Sequence, residues 1–117
     1  MTLSHVRQGD VLLLPVDSLP DGCEQIPDVN NRIILAYGEV TGHAHAIADH
    51  ISTKHRPSPH KYKATLFRAP SGRRYLHVLE AVTLTHEEHT AHKIVPGIYA
   101  IPTQVEYTPA ELQPVID

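Results

Sequence analysis

The sequence predicts an all-β fold: a small single-domain barrel or sandwich with a short helical turn at the C-terminus. Three observations carry this. Ten prolines and six glycines interrupt the chain too often for long helices. The apolar residues fall into short runs bounded by turn-forming residues. The chain has 117 residues, near the common size of one domain, so 1–117 reads as a single unit with one modest core.

The elements follow in order. Gly9-Asp10 leads into Val11–Val16, the first predicted strand. Pro20-Asp21-Gly22 is a turn. Arg32–Tyr37 is rich in β-formers and is expected to run on to Ile47 as one long strand, bent at Gly38 and Gly42. Ser52 to Lys63 reads as a loop, with Pro57 and Pro59 among polar residues. Ala64–Ala69, the turn Pro70-Ser71-Gly72-Arg73 and a strand Arg74–Thr85 make a hairpin. In its second arm Leu76, Val78, Val82 and Leu84 share a face, Glu80 breaks the pattern, and the same period points His86 inward. Lys93–Val95 and Ile98–Ile101 flank a Pro96-Gly97 turn, and Gln104–Tyr107 reads as a last strand. The helical turn follows: Thr108 caps, Pro109 suits the first helical position, Glu111 completes a capping box, and Pro114 interrupts the helix.

Composition narrows the class. The longest apolar run, Val11–Val16, is far shorter than the roughly 20 residues of a membrane span, and Met1–His5 has no secretory pattern. Cys23 is the only cysteine, which permits neither an intrachain disulfide nor a thiolate metal cage and makes a reducing cytoplasm the default expectation. The formal net charge is −3. It hides a segregation: residues 50–79 hold seven of the ten Lys and Arg and no acid, while the rest carries thirteen acids against three bases. Such a basic segment attracts anions or pairs with the protein's own acidic surface.

The ten histidines include two clusters. In Gly42-His43-Ala44-His45 the two imidazoles lie two residues apart, so a strand projects them to one side. That is half of a metal site, each ring offering a nitrogen lone pair at about 2.0–2.1 Å to zinc. The second cluster, His86-Glu87-Glu88-His89, follows a predicted strand end, where binding groups are commonly presented. An inward His86 meets His43 and His45 if the strands neighbour one another. The expected ligands are therefore His43, His45, His86 and His89, for zinc, iron, manganese or nickel. Glu87, Glu88 and His86 are the candidate acid–base groups. Only two residues separate His86 from His89, so this is not the His-Glu-x-x-His zinc-protease pattern.

Gly38–His45, together with His86–His89, Pro96-Gly97-Ile98-Tyr99 and Gln104–Pro109, resembles a group of short uncharacterised bacterial and phage proteins, over most of the chain. That resemblance implies no activity. The layout is also similar to the cupin double-stranded β-barrel: Gly38 leads His43-x-His45, and Asp49 follows where cupins carry an acid. It departs in a Gly-to-His gap one residue short, in Asp for Glu, and in a Pro96-Gly97 without the spacer and following histidine. A cupin-like fold implies a metal site whose remaining ligand is His86 or His89.

Three functions compete. One is a metal-binding β-barrel whose ion would polarise a substrate oxygen or activate water. A second is a metal-independent nuclease or phosphodiesterase. Its histidines would act as general acid and base, Lys54, Arg56, Lys61, Lys63, Arg73 and Arg74 would hold the phosphates of RNA or a small anionic ligand, and Tyr62 and Tyr75 would stack on bases. The third is a non-catalytic accessory protein. A homodimer is plausible in each case, because small β domains expose edges that need covering.

Overall fold

The computed structural model describes residues 5–38, 42–51 and 61–102. They form ten strands: β1 Val6–Gln8, β2 Val11–Val16, β3 Glu24–Gln25, β4 Ile33–Tyr37, β5 Ala44–Ile47, β6 Ala64–Arg68, β7 Arg74–Val78, β8 Val82–His86, β9 His89–Ile94 and β10 Gly97–Ile101. Every pairing is antiparallel. One sheet has the order β1-β2-β10-β7-β6-β3, the other β4-β5-β8-β9. The all-β expectation holds, as a small sandwich. Among the described residues, no helix is long and apolar enough to cross a membrane.

The core lies between the sheets. Val11, Leu13, Leu66, Leu76, Val78 and Tyr99 come from the six-stranded sheet, and Ile33, Leu35, Ile47, Val82, Leu84 and Ile94 from the four-stranded one. Leu66, Leu76 and Tyr99 stand side by side on adjacent strands. Each such side chain contributes about 1.5–3 kcal/mol when fully buried. The Arg74 guanidinium crosses between the sheets and donates to the Leu35 carbonyl at 2.6 Å.

Three stretches depart from the sequence reading. The single bent strand through Gly38 and Gly42 is instead a hairpin: β4 turns back into β5, Gly42 adopts φ +88°, and the Gly38 N–H donates to the His43 carbonyl at 2.8 Å. Two glycines four positions apart allow reversal as readily as bending. The strand Arg74–Thr85 is two strands, β7 and β8, in different sheets. The chain crosses at Leu79–Ala81, where the Lys63 carbonyl accepts from the Leu79 and Glu80 N–H groups. Glu80, the residue out of phase, marks this crossing. Around the expected Pro96-Gly97 turn, β9 begins at His89 rather than Lys93, and β9 and β10 lie in different sheets. The strand Gln104–Tyr107, the helical turn from Thr108, and most of the Ser52–Lys63 loop lie outside the described residues.

This topology brings two hairpin tips to one end of the sandwich. One is Gly9-Asp10, joining β1 and β2, with Gln8 paired to Val11. The other is Glu87-Glu88, joining β8 and β9, with His86 paired to His89. The start of β5 lies beside the second tip, because Ala46 pairs with Thr85 and the next rung sets His45 beside His86.

Candidate metal centre

The two histidine clusters meet at this end. His45, His86 and His89 each offer a ligand nitrogen, and these atoms all lie within 4.8 Å of one another. The His45 and His86 rings are 4.3 Å apart, His86 and His89 4.7 Å, and His45 and His89 5.7 Å. Hairpin geometry explains the closeness of His86 and His89. Residues flanking a two-residue turn pair directly and project side chains to one face.

His45 is buried, and its Nδ1 is fully partnered. Its Nδ1 lies 2.9 Å from the Oε1 of Gln8, itself buried. The Gln8 amide nitrogen donates to the Leu84 carbonyl at 3.1 Å and to the Thr90 carbonyl at 2.9 Å. Both amide protons are thus committed, so the side-chain oxygen must face His45. An oxygen only accepts, so Nδ1 of His45 carries the proton and donates. The Nε2 lone pair is left for the site. Ligating histidines are commonly fixed this way by a partner on the other ring nitrogen.

Burial pushes the His45 pKa down, the neighbouring His86 and His89 add to that push, and Asp10 opposes it. The neutral ring is the form that ligates a metal. The sign of the effect on stability follows. Well above pH 6.5 His45 is neutral folded and unfolded, with no contribution. As pH falls through 6.5 the unfolded chain takes up a proton that folded His45 resists, so stability is lost on acidification. Denaturant melts of metal-free protein at about pH 7.5 and about pH 5.5 should show a larger loss for the wild type than for His45→Asn.

His86 is anchored differently. The Glu88 N–H donates to its Nδ1 at 3.0 Å, so the lone pair of the neutral ring is on Nδ1 and the proton on Nε2. An ion bound at Nδ1 takes the lone pair that the Glu88 amide now uses. An ion at Nε2 requires a proton on Nδ1, which then no longer accepts. Either mode releases the Glu88 amide. Gly38 makes room for the ring: a Cβ there would lie 3.0 Å from His86 Nε2.

His43 stands at the rim. Its ring is edge-on to His86 at 6.1 Å, and its Nδ1, shielded from solvent and without a hydrogen-bond partner among the described residues, lies 3.7 Å from Glu88 Oε1. Glu87 points elsewhere. Its carboxylate accepts from the Ala44 N–H at 3.0 Å, tying the β8–β9 tip to β5. That amide, the residue's own N–H, and the nearby His43 and His86 hold its carboxyl below the usual range. Glu87 therefore clamps the site, and Glu88 is the exposed carboxylate nearest its mouth.

The basic residues have other surroundings. Lys54 and Arg56 lie outside the described residues. Lys61 sits 5.5 Å from the Tyr62 ring, which stacks on His50. Lys63 uses its backbone to bond His50, Leu79 and Glu80. Arg73 is exposed at the β6–β7 turn and its carbonyl accepts from Ala69. Arg74 is the inter-sheet clasp, and burial beside Arg68 lowers its pKa. Asp49 accepts from the Thr83 N–H at 2.9 Å.

Sequence reasoning missed Gln8, Gly9 and Asp10. Gly9 has φ +58°, and a Cβ there would lie 2.9 Å from His89 Nε2 and 3.1 Å from His45 Cε1. The Asp10 carboxylate lies 3.3 Å from His45 Nε2. The signal was present: Gly-Asp between two β-forming runs is a two-residue hairpin loop.

Fold and site together define a small antiparallel β-sandwich domain with a histidine triad at one end, able to hold a metal ion. The chain belongs to the family described as a domain of unknown function, DUF8820, whose profile matches residues 7–104. That span includes both hairpin tips and all three triad histidines. No curated protein and no solved structure matches the chain.

Proposed function

We propose that this domain binds one divalent first-row transition metal ion through His45, His86 and His89. The observation that carries the reading is the convergence of three imidazole nitrogens within 4.8 Å, one of them with its tautomer set by buried Gln8. Three imidazoles are the donor set of zinc sites and suit iron, nickel and copper as well. His43 and Glu88 stand at the rim of the site, outside the triad. Arg74, one of the six residues expected to hold phosphates, instead bonds the Leu35 carbonyl.

Elemental mass spectrometry of untagged protein tests it. Roughly one zinc, iron, manganese or nickel ion per chain is expected in the wild type and little in His86→Ala/His89→Ala. In amide NMR spectra, adding the ion should shift the Glu88 N–H strongly as it leaves His86. A folded wild type that neither retains nor takes up any of these ions would refute the reading.

A further inference from the structure

We propose that Asp10, at the tip of the β1–β2 hairpin, is the fourth ligand, so that the ion sits in a closed site of three histidines and one carboxylate. This rests on the metal-binding reading above and specifies its coordination.

Gln8 orients the site. Its two donors are committed to Leu84 and Thr90, and its oxygen to His45 Nδ1. The remaining nitrogen of His45, Nε2, faces Asp10 Oδ1 at 3.3 Å. A lone pair facing a carboxylate oxygen at that separation calls for a cation between or beside the two. A proton on Nε2 is one such cation, and a metal ion is the other. The distance suits the metal. Two ligands at about 2.0–2.2 Å from zinc, at a tetrahedral angle, stand about 3.3–3.5 Å apart.

The turn explains how the carboxylate arrives there. Gln8, Gly9 and Asp10 are consecutive, so the residue that sets the His45 tautomer and the residue that faces its other nitrogen belong to one rigid tip. Gly9 lies against His89 and His45 with less room than a Cβ needs. Its left-handed backbone turns Asp10 toward the imidazoles. Asp10 is only 30% exposed at its side chain, held against the buried His45.

Cobalt titration separates this from the parent reading. The full chain is titrated with Co²⁺ alone and followed by visible absorption, for wild type, Asp10→Asn and Asp10→Cys, with folding checked by circular dichroism. The wild type should show the intense visible bands of four-coordinate Co²⁺. Asp10→Asn should bind at least about tenfold more weakly, the loss typical of removing even a supporting residue around a metal. Asp10→Cys should add a thiolate-to-cobalt charge-transfer band that the wild type, which already contains Cys23, does not show. A wild type that binds Co²⁺, with Asp10→Asn unchanged in affinity and spectrum and no charge-transfer band in Asp10→Cys, overturns the fourth ligand and leaves the triad standing. A wild type that binds no Co²⁺ overturns both. The gain of signal in the cysteine variant keeps the test valid if Asp10→Asn folds poorly.

Discussion

Gln8→Leu should destabilise the metal-free domain by about 2–4 kcal/mol. Leucine approximates the volume of glutamine and suits a buried position, so the cost is not a cavity. It is the loss of partners. The buried Leu84 carbonyl and the part-buried Thr90 carbonyl each lose a donor, and the buried His45 N–H loses its acceptor. Each buried group left unpaired costs about 1–3 kcal/mol, partly offset here by the leucine's own burial. The carbonyls belong to β8 and β9, so the change also loosens the attachment of β1 to the four-stranded sheet. Urea melts in chelator measure it directly. A loss below about 0.5 kcal/mol would mean that Gln8 is a bystander and that His45 sets its own tautomer.

Gly9→Ala should act mainly on metal binding. The left-handed backbone at φ +58° costs a residue with a Cβ about 1–2 kcal/mol. The added carbon also meets His89 Nε2 at 2.9 Å and His45 Cε1 at 3.1 Å. His45 is held by Gln8 and cannot retreat, whereas His89 is exposed at a hairpin tip and can swing away. The fold therefore survives at modest cost while the triad opens. Affinity for zinc should fall at least about tenfold, more than the stability change alone explains. Calorimetric zinc titration, with urea melts on the same samples, separates the two. Unchanged affinity with a destabilised fold would place the ion away from the Gly9 side of the cluster.

The histidines were legible in the sequence and their company was not. His-Ala-His on a strand projected His43 and His45 to one side, and the even-numbered alternation from Leu76 pointed His86 inward; the structure sets His45 beside His86 but leaves His43 at the rim, just before β5 begins. The alternation survived even though β7 and β8 lie in different sheets, because both strands face the same core. What alternation cannot convey is where a chain changes sheets. Glu80 was visible as an exception, yet only the long-range bonds of Leu79 and Glu80 to Lys63 make it a crossing. Gly38 and Gly42 likewise permitted either a bend or a reversal, and cross-strand pairing of Tyr37 with Ala44 decides for reversal. The partner that fixes His45 was hidden for a similar reason. Gln8 is an ordinary polar residue in a short strand, and its three hydrogen bonds reach residues 37 to 82 positions away. Glu87 and Glu88 read as equivalent neighbours, but the turn sends one to the Ala44 amide and the other to the mouth.

The claim at the centre of this account is that His45, His86 and His89 bind one ion together. Zinc-edge X-ray absorption on protein loaded with about one equivalent of zinc reads the ligands themselves. The account predicts four nitrogen or oxygen neighbours at about 2.0–2.1 Å, with the outer-shell scattering of three imidazole rings. A spectrum with one imidazole or none, or a zinc shell unchanged in His45→Ala, would contradict it.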